Sequence, residues 1–169
     1  VYENNELREV TAFAAGEFPL TVALGVDRSW SMAGDRLRLA KQASRAFLSS
    51  LKPGDRSMVV AIGSEADVIA PLTMDRVSQG HAIEALDPWS TTALHDAIIA
   101  TVDRLAPEAG RQALIVFSDG IDRYSRATAA QVVRRKFDQH PVSGQHPNEM
   151  HSDLSGNMGQ HLMVIGQLD

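Results

Sequence analysis

The sequence predicts an α/β fold: a doubly wound, mostly parallel sheet with one short antiparallel edge strand and helices on both faces. Continuous apolar runs such as residues 20–26 fit strands that are covered on both faces. Segments with apolar residues at helical spacing lie between these runs. Strands and helices that alternate along a chain are typical of a parallel sheet, and 169 residues suffice for one domain with a core.

The elements follow from the pattern in chain order. Residues 1–13, with Asn4-Asn5 in their middle, are typical of a small hairpin or an extended arm. Residues 66–70 form a run short enough for an edge strand. The other predicted elements are strands over 20–26, 57–62, 112–117 and 161–166, and helices over 35–51, 75–86, 92–105 and 126–137.

The composition excludes several classes of function. The net charge is -5 and the pI about 5.6, which argues against a nucleic-acid partner because phosphate binding needs clustered Lys and Arg. The chain has no Cys, so it has no disulfide, no Cys-zinc site and no thiol nucleophile. No apolar run approaches the length of a membrane helix, so we expect no membrane insertion. A start at Val1 without a leader pattern is typical of a mature or excised fragment.

Polar side chains with oxygen atoms follow the first buried strand at a spacing of two. They are Asp27, Ser29 and Ser31. Alternate side chains of an extended or looped segment point the same way, so one carboxylate and two hydroxyls are expected to converge. Asp119 follows another buried strand, and Thr92 opens a predicted helix. Because ligands bind at the carboxyl ends of parallel strands, these residues predict a site for a hard divalent cation such as Mg²⁺.

Each of these residues also has a structural interpretation. Ser and Asp are favoured at helix N-termini, so Asp27, Ser29 and Ser31 are candidates for helix capping. Thr92 is a candidate N-cap, and Thr91 is an alternative to it. Asp119 is followed by Gly, which is typical of a turn.

Other residues are weaker candidates. Trp30 is either a contact at the rim of the site or an ordinary half-buried aromatic residue, and we place it at the rim with Thr91. Asp96 is expected to interact with a helix N-terminus. The late histidines match no zinc spacing; they are His140, His146, His151 and His161.

Three segments resemble the motifs of the von Willebrand factor type A family. They are VALGVDRSWSM, which resembles its Asp-x-Ser-x-Ser motif, TALHDAI, which resembles its threonine loop, and VFSDGID, which resembles its strand-end aspartate segment. The resemblance covers about residues 18–135. It implies a metal-ion-dependent adhesion site that takes Mg²⁺, with Mn²⁺ and Ca²⁺ as alternatives. The implied metal ligands are Asp27, Ser29, Ser31, Thr92 and Asp119, and a protein partner is expected to present a carboxylate to the metal.

The opening of the chain resembles bacterial exported VWFA-related proteins, in which such a segment precedes a Phe-Pro-Leu step, here residues 18–20. By this resemblance residues 1–17 are an N-terminal arm or the tail of a preceding β module, and residues 18–169 are the domain. An extracellular or cell-envelope location is implied. The chain departs from the family at Trp30, where Gly is usual, and after residue 137, where residues 138–160 form an irregular loop and the last helix is missing.

The leading hypothesis is therefore a non-enzymatic, metal-dependent adhesion or protein-interaction domain. One alternative is an intracellular domain that partners an ATPase assembly. The other is a hydrolase that uses Asp27 or Ser29, with His95 as the nearest base. The sequence lacks the Gly-x-Ser-x-Gly turn of many hydrolases and a Gly-rich phosphate loop, which argues against an enzyme.

Overall fold

The computed structural model of the chain describes residues 2–3, 6–7, 19–138 and 161–167. A one-turn 3-10 helix, Trp30–Met32, precedes the first α-helix. In chain order the other elements are β1 (Tyr2–Glu3), β2 (Glu6–Leu7), β3 (Leu20–Asp27), α1 (Asp35–Ser50), β4 (Arg56–Ile62), β5 (Ala66–Thr73), α2 (Arg76–Glu84), α3 (Leu94–Leu105), β6 (Arg111–Ser118), α4 (Ala129–Asp138) and β7 (His161–Gln167).

The main sheet has five strands in the order β5-β4-β3-β6-β7. β3 lies parallel to β4 and β6, and β6 lies parallel to β7. β5 pairs antiparallel with β4 at the edge of the sheet. The predicted fold class is confirmed, including the antiparallel edge strand. β1 and β2 pair antiparallel, with Tyr2 opposite Leu7. The prediction for residues 1–13 is a small hairpin or an extended arm, and this pairing matches the hairpin.

The core lies on both faces of the sheet, because alternate side chains of the central strands point to opposite sides. One group packs the strands against α1 and α2; it includes Leu24, Val26, Val59, Leu37, Leu48 and Ile83. The other packs the strands against α3 and α4; it includes Ala23, Met58, Leu114, Ile98, Leu105 and Val132. Strands buried in this way need apolar residues at every position, which explains the continuous runs in the sequence.

Gly25 allows the three central strands to pack closely. A Cβ atom at this position would lie 3.0 Å from Cδ1 of Ile62 and 3.4 Å from Cγ2 of Val116. The neighbouring strands therefore pack closely against β3 at Gly25, two residues before Asp27, which is the last residue of the strand.

The observed helices differ from the predicted ones at their ends. The helix predicted over 92–105 begins at Leu94, the one predicted over 75–86 is Arg76–Glu84, and the one predicted over 126–137 begins at Ala129. For α3 the reason is tertiary: the Ala93 N–H donates to the Gly63 carbonyl at 2.7 Å, and the Thr92 carbonyl accepts from the loop after β6. The backbone groups of these residues therefore serve neighbouring loops and lie ahead of the helix.

Several predictions fall outside the described residues. They are the irregular loop over 138–160 beyond Asp138, the side chains of the late histidines, and most of the N-terminal arm. Among the helices that the structure does describe, none combines the length and apolar character needed to cross a bilayer.

Candidate functional site

The loop after β3 brings three of the predicted site residues together. Asp27 is fully buried, and its Oδ1 accepts a hydrogen bond from the Ser29 N–H at 2.9 Å. The hydroxyl oxygens of Ser29 and Ser31 lie 3.1 Å apart and share a hydrogen bond. The 3-10 turn that starts at Trp30 folds the segment back so that both hydroxyls meet.

The helix-cap interpretation of this triplet does not hold in the described structure. Ser29 precedes the 3-10 turn but makes no side-chain cap hydrogen bond. The N-cap of α1 is Gly34, which has a φ of 83°. The hydrogen bonds found at these three side chains therefore do not cap a helix.

The loop after β6 places Asp119 beside the first loop. Its Oδ1 accepts from the Ile121 N–H at 3.1 Å, and Gly120 follows with a φ of 77°, so the turn interpretation also describes this residue. Its Oδ2 lies 3.5 Å from the Nη1 of Arg36. The same nitrogen donates to the Ser31 carbonyl at 3.2 Å. Arg36 thus connects the first and third loops.

The surroundings of Asp27 change the pKa of its carboxyl group. Burial raises the pKa of Asp27, and the negative charge of Asp119 raises it further. Hydrogen bonds from Ser118 and Ser29 act in the opposite direction, because they stabilise the ionised form. The net pKa of Asp27 is raised, so a bound cation would relieve an electrostatic cost that the fold already carries.

The second loop, between α2 and α3, places Thr92 next to the third loop through its backbone. The Thr92 carbonyl accepts from the N–H groups of Arg123 and Tyr124, each at 3.0 Å. Within residues 19–138, no hydrogen bond joins its hydroxyl to the other four predicted ligands. The half-buried Thr91 has a buried hydroxyl with no partner in the described part of the chain. A buried polar atom of this kind is often completed by a water or an ion.

The first and second loops are tied together on both sides. The Trp30 N–H donates to the Ser90 carbonyl at 3.1 Å, and the Trp89 N–H donates to the Arg28 carbonyl at 2.7 Å. Ser90 has a φ of 74°, a conformation that is uncommon for residues other than Gly. The two loops are therefore joined through their backbones, and the side chain of Trp30 is exposed.

Sequence reasoning missed two residues that contact the candidate site. The hydroxyl of Ser118 donates to Oδ2 of Asp27 at 2.6 Å and accepts from the Gly120 N–H at 3.0 Å. The register of β3 and β6 carries the signal for this contact, since Val26 lies opposite Phe117 and Asp27 therefore lies beside Ser118. No sequence pattern points to Arg36 in the same way, because its contact with Asp119 depends on how α1 packs against the sheet.

His95, the base of the hydrolase alternative, is engaged elsewhere. Its Nδ1 contacts the Asp122 carboxylate and lies 3.2 Å from the Ala127 carbonyl oxygen. Burial acts to raise the pKa of Asp122, but hydrogen bonds from Ser125 and the interaction with His95 outweigh it, and the net pKa is lowered. The partner of the Ser29 hydroxyl is Ser31. The described contacts therefore contain no Ser–His hydrogen bond at Ser29.

Asp96 supports the third loop instead of capping its own helix. Its carboxylate accepts from the N–H groups of Arg126 at 2.9 Å and Ala127 at 2.8 Å. The Asp96 N–H in turn donates to the hydroxyl of Ser125 at 3.1 Å. The first turn of α3 thereby fixes the segment that leads into α4.

A family model for the von Willebrand factor type A domain matches residues 22–121, which contain all five predicted metal ligands. The chain belongs to the von Willebrand factor type A domain family. The resemblance predicted from three short segments is therefore confirmed over more than half of the chain. No curated protein sequence matches the chain.

Solved structures share the type A fold. A von Willebrand factor type A protein from Catenulispora acidiphila is 24% identical with a TM-score of 0.60, over 69% of this chain and 30% of that one. Three N-terminal domains of the type V pili tip protein Mfa5 from Porphyromonas gingivalis are 23% identical with a TM-score of 0.56, over 66% and 22%. The conserved hypothetical protein BatB from Bacteroides thetaiotaomicron is 19% identical with a TM-score of 0.63, over 89% and 91%. This type A domain thus spans less than a third of the first two structures.

Proposed function

We propose that this domain binds a divalent cation, Mg²⁺ foremost, and uses it to hold a carboxylate of a protein partner without catalysing a reaction. The observation that carries the proposal is the geometry of the first loop: the buried Asp27 carboxylate accepts from the Ser29 N–H, and the hydroxyl oxygens of Ser29 and Ser31 lie 3.1 Å apart. The predicted ligands are Asp27, Ser29, Ser31, Thr92 and Asp119. A cation among them would neutralise the negative charges of Asp27 and Asp119, and the partly exposed Arg36 lies 3.5 Å from Asp119.

The donor set fits a hard cation. Mg²⁺ and Ca²⁺ prefer oxygen ligands, and Mg²⁺ usually combines one or two carboxylates with waters and hydroxyls. No group of three or more His, Cys, Asp or Glu side chains suited to a metal occurs in the described residues. In this proposal the serine and threonine hydroxyls therefore complete the ligand set. Neutral ligands would leave the cation able to attract a further carboxylate.

The spacing of the serine hydroxyls supports the same conclusion. The oxygens of Ser29 and Ser31 lie 3.1 Å apart. Neighbouring ligands of an octahedral Mg²⁺ at its usual ligand distance lie about 2.9 Å apart. Small adjustments would let both oxygens turn from each other to one ion. Mn²⁺ and Ca²⁺ are alternatives at a site of the same chemistry.

A role in adhesion at the cell surface is part of the proposal. Mfa5 is a pilus tip protein, and another similar structure is an aerotolerance-related membrane protein from Bacteroides fragilis. Both descriptions belong to those proteins, and at these identities they share only the fold with this chain. They favour an extracellular or cell-envelope location over the cytoplasm for this domain.

Isothermal calorimetry with Mg²⁺ tests the metal site directly. We expect the wild-type domain to bind Mg²⁺ and Asp27→Ala to lose that binding, because the buried carboxylate is removed. Asp27→Asn keeps the shape of the side chain and guards against misfolding of the Ala variant. Ser44→Ala, at a buried serine of α1, is the control and should bind as wild type does.

Two results would contradict the proposal. One is Mg²⁺ binding of equal strength by wild type and Asp27→Asn. The other is hydrolysis of ester or phosphate substrates that is lost on Ser29→Ala, since such turnover would favour the hydrolase alternative.

A further inference from the structure

Exposed apolar side chains are concentrated on the three site loops. Of the nine large hydrophobic side chains exposed in the described residues, four lie on these loops, and these four include every exposed aromatic one. They are Trp30 (65% exposed), Trp89 (54%), Ile121 (36%) and Tyr124 (66%). Single exposed apolar residues need no explanation, but a group of them around one site indicates an interaction surface. We call these four residues the apolar rim.

The loops that carry the apolar rim are joined through their backbones. Two hydrogen bonds tie the loop of Trp30 to the loop of Trp89, and the Tyr124 N–H ties the third loop to the Thr92 carbonyl. The hydroxyl of Ser90 also accepts from the Ser64 N–H at 2.9 Å, which fixes the second loop to the turn after β4. A surface held in place before binding loses less conformational entropy when a partner arrives.

Charges of both signs lie around the apolar rim, and several of them are paired. Arg28 lies over the ring of Trp89 at 5.1 Å from its centroid and forms an ion pair with Asp67 at 3.3 Å. Arg36 contacts Asp119, and the side chain of Asp122 contacts His95. Arg123 and Asp87 are exposed on the same loops. The surface thus offers aromatic contact area, and attraction for a negative charge would come from the cation of the proposed function.

We propose that the partner is a protein segment in which one carboxylate is flanked on both sides by aromatic or large aliphatic side chains. The proposal rests on the proposed function, because the cation site receives the carboxylate. The apolar rim then contacts the flanking side chains. A carbohydrate also stacks on aromatic rings, but one face of Trp89 is already covered by Arg28, and Ile121 offers no ring. The cation of the proposed function further favours an anionic centre over a neutral sugar.

A library of random heptapeptides with Asp fixed at the centre tests the proposal, selected on the intact domain with Mg²⁺ present. We expect Phe, Trp, Tyr, Leu or Ile to be enriched on both sides of the Asp. Selected peptides should lose binding in EDTA or when the central Asp is changed to Asn. Binding is measured by intrinsic fluorescence, because the only two tryptophans of the chain both lie in the apolar rim.

Substitutions separate the apolar rim from the cation site. Trp30→Ala and Tyr124→Ala should each weaken a selected peptide about tenfold or more, while Mg²⁺ affinity measured by calorimetry stays at the wild-type value. Val133→Ala, at an exposed apolar residue of α4 outside the loops, is the matched control and should change neither.

Each contrary outcome has a distinct meaning. Absence of Mg²⁺ binding by wild type refutes the proposed function and this inference with it. Mg²⁺ binding together with no enrichment of apolar flanks, or with no Mg²⁺-dependent peptides at all, refutes this inference alone. Tighter Mg²⁺-dependent binding of a glycan from an array than of any peptide would assign the apolar rim to carbohydrate and also refute it.

Discussion

Ser118→Ala tests how the candidate site holds its buried carboxylate. The Ser118 hydroxyl is fully buried and donates to Oδ2 of Asp27 at 2.6 Å. A hydrogen bond to a charged group contributes about 1.5–3 kcal/mol to stability, so the variant should lose about 2 kcal/mol of unfolding free energy. For a chain of this size that loss corresponds to a fall in Tm of about 4–8 °C.

The matched control is Ser44→Ala. Ser44 is also fully buried, but its hydroxyl has no hydrogen-bond partner among the residues that the structure describes. Removal of an unpaired hydroxyl from a helix should change the unfolding free energy by at most about 0.5 kcal/mol, and in the stabilising direction. The difference between the two variants isolates the hydrogen bond to Asp27 from the general effect of a smaller side chain.

Urea denaturation with EDTA present measures both stabilities, and equal m-values would show that the unfolded states are comparable. Calorimetry with Mg²⁺ gives the second measurement. Loss of a group that orients a metal ligand typically weakens metal affinity about 10- to 100-fold, so Ser118→Ala should bind Mg²⁺ at least tenfold more weakly while Ser44→Ala is unchanged. Equal losses of stability in the two variants would refute the assigned role of Ser118.

Three further predictions address charge and backbone conformation. The folded pKa of Asp27 is raised above its usual 3.8, so the stability contributed by its neutral form is present below that pH and is lost as the pH rises through the folded pKa. In EDTA at pH 7, Asp27→Asn should therefore be at least as stable as wild type in a thermal melt. A clear loss of stability in the variant would contradict this. Arg36→Gln removes a positive charge 3.5 Å from Asp119 and should tighten Mg²⁺ binding, measured by calorimetry, about two- to fivefold. The gain in affinity should be smaller at high salt. Weaker Mg²⁺ binding by the variant at low salt would contradict this expectation. Gly34→Ala should lower the free energy of unfolding by about 1–2 kcal/mol in urea denaturation, because φ is 83° at this position. The added Cβ has no atom within 4 Å, so a steric clash would not explain the loss. An unchanged midpoint would show that the backbone there is not constrained.

Much of the fold could be predicted from the sequence because both faces of the central strands are covered. That burial leaves long apolar runs, and the order of strands and helices from residue 20 onward is the predicted one. The start of α3 could not be predicted. The backbone groups of Thr92 and Ala93 form hydrogen bonds with loops that are distant in the sequence. The helix propensity of the local residues does not depend on those partners.

The candidate site, like the fold, could be predicted only in part from the sequence. The spacing of Asp27, Ser29 and Ser31 follows from local geometry, and the structure brings their side chains together. The contact of Ser118 with Asp27 requires the strand register, and the contact of Arg36 with Asp119 requires the packing of α1. That Asp27, Ser29, Ser31, Thr92 and Asp119 bind a metal ion stays a prediction.

The hydrogen bond between Ser118 and Asp27 joins residues 91 positions apart in the chain. During synthesis, a chain that has been made only through α3 contains the first two loops but has neither Ser118 nor Asp119. Both carboxylates of the site come together only after β6 has docked beside β3. A cation that needs both would then act on the finished fold, raising its stability by mass action without guiding the earlier steps of folding.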